Sequence, residues 1–131
     1  MKKTGLMNKD LPEVIASLGH GDMSVIADAG LPIPQGVRRI DLAVSPNVPR
    51  LLDVVQAVLG ELEVQEAMVA SEMAERSPAA REALASLMAG VPVSEILHEQ
   101  LKSQAARASA VVRTGEFTPY ANVILVAGVV F

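Results

Sequence analysis

The stretch Arg50–Leu97, RLLDVVQAVLGELEVQEAMVASEMAERSPAAREALASLMAGVPVSEIL, decides the fold. Leu51, Val55, Val58 and Leu62 recur at helical spacing, and Leu52 and Leu59 widen that stripe. The spacing predicts a helix from Arg50 to about Glu63. Val64 to Ala70 follows as a short apolar-rich run, a predicted strand. Ser77-Pro78 then opens another helix, with Ser77 as cap and Pro78 at the first position, where a missing N–H is harmless. Leu84, Leu87 and Met88 form its inner face, Gly90 ends it, and Val91 to Leu97 reads as the next strand. Helix, strand, helix, strand with short connections is the pattern of an α/β domain with parallel pairing.

Outward from this stretch the pattern continues. A short helix is expected from Glu99 to Ala106, a strand from Ala108 to Arg113, a loop from Thr114 to Pro119, and a β-prone end from Val123 to Phe131. Upstream, Asp10 is placed to cap a helix carrying Leu11, Val14, Ile15 and Leu18, which Gly19 would end. Met23 to Ala27 and Arg39 to Val44 read as strands, joined by a loop that two prolines keep from being helical. The turn Ser45–Pro49 leads back into the central stretch. The expectation is a single α/β domain over residues 1–131, with a central, largely parallel sheet flanked by helices and covered on both faces. No helix fits between residues 28 and 39, so the first two strands depart from the simple βαβ unit.

Composition narrows the function. The 131 residues include no Cys, which removes thiolate nucleophiles, disulfides and Cys-ligated metal centres. A net charge of −4 argues against an electrostatic nucleic-acid binder. The longest apolar run, Val123–Phe131, is far short of the roughly 20 residues a membrane-spanning helix needs. No export signal is visible, so a cytoplasmic location is expected. Mean hydropathy is +0.35, high for a small domain, and points to apolar surface hidden between subunits. Only Phe117, Tyr120 and Phe131 are aromatic; Phe117 and Phe131 read as packing residues and Tyr120 as a binding candidate.

Few side chains can carry chemistry. Asp28 follows the apolar strand Ser24–Ala27, at the carboxyl end where open α/β sheets bind ligands; it equally suits a turn cap, and position alone does not separate the two. His20 sits in Gly19-His20-Gly21-Asp22 and carries an imidazole, the side-chain type suited to a general acid or base near neutral pH, although a solvated histidine at a helix end fits the same position. His98 and Lys102 share a helix face at i, i+4. The two histidines lack compact metal-ligand spacing, there is no G-x-S-x-G elbow, and Gly19-His20-Gly21 lacks the third glycine of a dinucleotide loop. The segment Arg113–Asn122 concentrates a cation, an acid, hydroxyls, an aromatic ring and an amide, a mixture suited to a sugar or to closing a loop over a strand end.

Taken together, Leu18–Asp22, Ile26–Pro34, Ile40–Leu42, Val112–Asn122 and Ala127–Phe131 resemble the D-ribose pyranase family, which is related to L-fucose mutarotases. His98-Glu-Gln-Leu-Lys102 matches the family's His-Glu-x-Phe-Lys element with Leu101 in place of Phe. The resemblance implies a sugar isomerase that needs no cofactor or metal and forms a homo-oligomeric ring of eight or ten subunits. It implies His20 as catalytic acid and Asp28, His98, Lys102, Tyr120, Ala121 and Asn122 around D-ribose. Two other readings stay open: a sugar-binding module without turnover, and a mutarotase for another monosaccharide such as L-fucose. Residues from both ends of the chain must meet at one sugar, within one subunit or between two; the apolar tail Val129-Val130-Phe131 and the many aliphatic residues favour a pocket at a subunit interface.

Overall fold

The computed structural model describes residues 1–131. Its elements run α1 (Asp10–Ser17), β1 (Met23–Ala27), β2 (Arg38–Asp41), α2 (Leu51–Leu59), β3 (Val64–Ala70), α3 (Ser71–Arg76), α4 (Pro78–Leu87), β4 (Val93–Ile96), α5 (His98–Ala105), β5 (Ala110–Arg113) and β6 (Val123–Ala127). The α/β expectation holds. The six strands form one sheet in the order β2-β5-β1-β6-β3-β4. β2, β5 and β1 pair in parallel, as do β3 and β4, while β6 runs antiparallel to both β1 and β3 between them. The sheet is therefore mixed: five strands point one way and share a carboxyl end, and β6 enters from that end.

Side-chain alternation divides the interior in two. Ile26, Val69, Val112, Val123 and Leu125 point to the face covered by α1, α2, α3 and α4, where Val14, Val55, Met73 and Leu84 meet them. Val25, Ala27, Ala70, Val111 and Ile124 point to the other face, under α5 (Leu101, Ala105) and Leu31 of the β1–β2 loop. Phe117 and Phe131 are not packing residues: they are 62% and 101% exposed, because the aliphatic side chains already fill both layers.

Several local expectations are corrected. Asn8, not Asp10, caps α1: its Oδ1 accepts the N–H groups of Asp10 and Leu11 at 2.8 and 2.9 Å. Pro78 does take the first position of α4, but Ser77 makes no cap. Its hydroxyl donates to the Pro119 carbonyl at 2.8 Å, tying α4 to the loop that precedes β6. The α2 helix stops at Leu59, and the last strand stops at Ala127, leaving 128–131 outside the sheet. Helix α3 has six residues, too few for apolar periodicity to reveal it. No helix of the chain is long and apolar enough to cross a membrane.

Candidate active site

The shared carboxyl end of the parallel strands gathers most of the candidate residues. Asp28 follows β1 directly. Its backbone N–H donates to Asn122 Oδ1 at 2.8 Å, and Asn122 Nδ2 donates to Asp28 Oδ2 at 3.0 Å. The Gly30 N–H donates to Asp28 Oδ1 at 2.9 Å. Asn122 is completely buried immediately before β6, so this pair of hydrogen bonds fixes the backbone and carboxylate of Asp28 from behind. Each Asp28 oxygen keeps a lone pair for a further donor.

Beside Asp28 lies a cavity of about 360 Å³ lined by Asp28, Leu31, Pro32, Arg76, His98 and Tyr120, among others. His98 and Tyr120 meet edge to face, with ring centroids 5.0 Å apart and planes at 85°. Tyr120 has φ 61°, a left-handed conformation that turns the chain before β6. His98 Nδ1 is buried without a hydrogen-bond partner.

The loop that holds Tyr120 is braced by its own polar residues. Thr114 Oγ1 donates to the Ala27 carbonyl at 2.7 Å and accepts the Glu116 N–H at 3.2 Å. Buried Glu116 accepts from the Leu51 N–H at 2.9 Å and from Thr118 Oγ1 at 2.7 Å. Arg113 Nε donates to the Ala29 carbonyl at 3.0 Å, and its Nη1 reaches Asp41 at 3.1 Å. Much of the polar mixture in Arg113–Asn122 thus closes the loop, as one of the two sequence readings had it. Gly115 fits because its face lies against the Val48 and Ser45 carbonyls, where a Cβ has no room.

The remaining candidates lie elsewhere. Lys102, one turn along α5 from His98, pairs with Glu99 at 2.6 Å and does not line the cavity. Ala121 is buried beside Asn122, on the side of the loop facing Leu51 and Ser77. His20 is at the opposite end of the sheet, before β1 begins. The five residues of β1 span about 16 Å, so one chain cannot bring its own His20 and Asp28 to one small sugar. His20 is exposed, with its Nε2 2.7 Å from Gln65 Oε1. Its turn is held by Asp22 Oδ2, which accepts the Gly19 N–H at 2.8 Å, and by Gly21 at φ +86°. A shallow cavity of about 310 Å³ joins His20 to Leu18, Leu62, Val130 and Phe131.

Two residues at the carboxyl end escaped the sequence reading. Glu72 and Arg76 both belong to α3; Arg76 lines the Asp28 cavity, and Glu72 accepts the His98 N–H. The signal for Glu72 was its place two residues beyond the end of β3, close to the strand-end position, one residue beyond β1, that had singled out Asp28. No three His, Asp or Glu side chains gather closely enough to hold a metal ion.

Comparisons with known proteins agree with this architecture. A family model described as the RbsD / FucU transport protein family matches residues 1–130. A D-ribose pyranase of Symbiobacterium thermophilum is 61% identical over 131 residues, and one of Chloroflexus aggregans is 58% identical over 131, each alignment covering all of both chains. Bacillus subtilis RbsD complexed with D-ribose matches with a TM-score of 0.96 at 43% identity, covering 100% of both chains. The fucose mutarotase of Streptococcus pneumoniae in complex with L-fucose matches with a TM-score of 0.79 at 23% identity over 95% of each chain, a likeness of fold. Matched along its whole length by the family model and by these relatives, the chain belongs to the RbsD / FucU family.

Proposed function

We propose that this protein is a D-ribose pyranase, an intramolecular isomerase that interconverts the pyranose and furanose forms of D-ribose. The observation that carries the proposal is the division of labour across the sheet. A fixed carboxylate, a histidine and a tyrosine line one cavity at the carboxyl end. An exposed imidazole, that of His20 beside Gln65, stands at the amino end. The D-ribose pyranases that match at 58–61% identity, and the ribose complex of RbsD, support the choice of sugar.

The reaction needs proton traffic alone. The anomeric hydroxyl gives up a proton, the ring oxygen gains one, and the bond between the anomeric carbon and the ring oxygen breaks to give the aldehyde. A different hydroxyl then attacks the carbonyl, and the protons return. His20 is the acid that protonates the ring oxygen. A positioned imidazole contributes about 10²–10⁴-fold to such a step near neutral pH. Asp28, already holding the Gly30 N–H and the Asn122 amide, accepts a sugar hydroxyl on its remaining lone pairs. His98 and Tyr120 form the wall and supply further polar contacts, with Ala121 and Asn122 shaping the loop behind them. Lys102 enters by exchanging Glu99 for a sugar hydroxyl.

Because His20 and Asp28 lie at opposite ends of β1, the proposal requires two subunits. His20 of one copy meets Asp28 of the next. Such a head-to-tail contact uses two different surfaces of each subunit and closes into a ring, here of eight or ten copies in the cytoplasm. Surface character supports it. Large apolar side chains stand exposed at both ends, Val130 and Phe131 beside His20 and Leu97 and Phe117 at the carboxyl end.

Magnetisation-exchange NMR on D-ribose tests the reading. The expected result is faster transfer between pyranose and furanose signals in the presence of protein, from an assembly much larger than the 13.8 kDa chain by light scattering. Ribose binding without acceleration identifies a sugar-binding module instead. Acceleration confined to L-fucose identifies a different mutarotase.

A further inference from the structure

Helix α5 begins without a cap of its own. Its N-cap residue is Leu97, whose side chain has no acceptor for the orphan N–H groups of the first turn. Gln100 Oε1 accepts the Leu97 N–H at 3.0 Å, which leaves the first helical N–H, that of His98, without a local partner. The partner comes from another element. Glu72, at the start of α3, accepts this N–H with Oε2 at 2.9 Å and Oε1 at 3.2 Å. Both helices start where neighbouring parallel strands end: Ala70 of β3 is paired with Ile96 of β4. The carboxylate therefore crosses from one strand end to the next and fixes the backbone of the residue whose ring stands 5.0 Å from Tyr120.

The geometry points to Glu72 as a positioning residue that seats His98 at the sugar cavity. Its carboxyl is kept ionised by hydrogen bonds from its own backbone N–H and then from His98, which together outweigh its desolvation. Ser71 adds a hydroxyl at 3.4 Å. Glu72 does not line the cavity. It acts through His98, and the length of its side chain matters as much as its charge. This role rests on the sugar-isomerase reading for its effect on activity, but the Glu72–His98 bond itself is measurable without activity.

Three variants test it. Glu72→Ala removes the acceptor, Glu72→Gln keeps its reach without charge, and Glu72→Asp keeps charge without reach. Expected for Glu72→Ala is a KM for ribose exchange raised about tenfold, the effect of losing one hydrogen bond worth ~1.4 kcal/mol, with kcat within about twofold of wild type. Glu72→Gln restores KM to within about threefold, and Glu72→Asp behaves like Ala. In ¹H–¹⁵N spectra the His98 amide proton, shifted downfield by a carboxylate acceptor, moves upfield in Ala and Asp and recovers in part in Gln.

Rescue by Asp but not Gln would assign a purely electrostatic role and overturn the proposal. So would an unmoved His98 amide in Glu72→Ala, or equal loss of kcat and melting temperature in all three variants. If the wild-type protein fails to accelerate ribose exchange, the isomerase reading falls, and the amide shift together with ribose titration by NMR still decides whether Glu72 seats His98.

Discussion

The two ends of the sheet are built on opposite plans. At the carboxyl end, Asp28 is held by three hydrogen bonds, Asn122 is completely buried, and a loop braced by Thr114, Glu116 and Arg113 carries Tyr120. At the amino end, His20 stands exposed on a short turn with one side-chain partner, Gln65. Binding a flexible sugar in one pose needs groups whose positions are settled beforehand. A proton donor needs access to the reacting atom and a pKa near the working pH. In the proposed mechanism this difference separates the group that moves protons from those that hold the substrate, and a second subunit brings them together.

The strongest way to break this comparison is to remove the amino-end imidazole. His20→Ala is expected to lower the ribose exchange rate by about 10²–10⁴-fold while ribose still binds at the carboxyl end. Exchange NMR and ligand titration on the same sample check both halves. Loss of binding in step with rate would put His20 in the holding set. Mixing sharpens the same point. His20→Ala and Asp28→Asn subunits, each nearly inactive alone, are expected to regain about one quarter of the wild-type rate when reassembled in equal amounts, because a quarter of head-to-tail contacts then pair an intact His20 with an intact Asp28. Activity no greater than the sum of the two residual rates would place both groups in one subunit's site.

A smaller effect is expected from unbracing the carboxyl end. Asn122→Ala strands the Asp28 N–H and should cost about 1–3 kcal/mol, read as a lower urea midpoint at unchanged slope. Asn122→Asp sharpens the test, since two carboxylates within hydrogen-bond distance cannot both ionise cheaply. The shared pKa is raised in the folded state, so this variant should lose stability as pH rises through that raised value. Gln65→Ala, which removes the partner of His20, should leave the urea midpoint almost unchanged, because both groups are exposed.

How much of this was legible in the sequence follows from where each signal resides. Val64–Ala70 could be read as a strand to the residue because an apolar-rich run follows the amphipathic stripe of the preceding helix and ends where polar residues begin at Ser71. The end at which Asp28 and His20 lie was also legible, since one follows and the other precedes the same strand. The antiparallel insertion of β6 between β1 and β3 was not, because pairing partners are a property of the assembled sheet and leave no mark on Val123–Ala127 itself. Ser77 shows the same limit: Ser-Pro is a sound capping signal, yet a carbonyl 42 residues away claimed the hydroxyl. Glu72 and Arg76 were hidden for a third reason. A six-residue helix has no periodicity to read, so its two charged residues looked like part of a connection.

The finest prediction separates the two ends by acid and salt. Each carries one carboxyl held below its ordinary value of 4.5: Glu13 of α1, hydrogen-bonded to Arg38 at the start of β2, and Glu72 at the carboxyl end. A depressed folded pKa means that the contribution is complete above the unfolded value and is lost as pH falls through the folded one. The melting temperature should thus be insensitive to these two groups from neutrality to about pH 5, and should decline below 4.5. Salt should then tell them apart. The Glu13–Arg38 pair is exposed, at 60% and 39% of the side chains, and in 1 M salt the screening length shrinks to about 3 Å. Its Coulombic support should fade, and the Glu13 titration should move toward the ordinary value. Glu72 owes its depression chiefly to backbone N–H donors, which salt does not screen at contact distance, so its titration should hardly move. Carboxyl ¹³C titrations in low and high salt measure both groups in one protein. Equal movement of the two would mean that backbone N–H groups, its own first and that of His98 after it, do not hold the Glu72 carboxylate, and the carboxyl end would lose one of the anchors that set it apart.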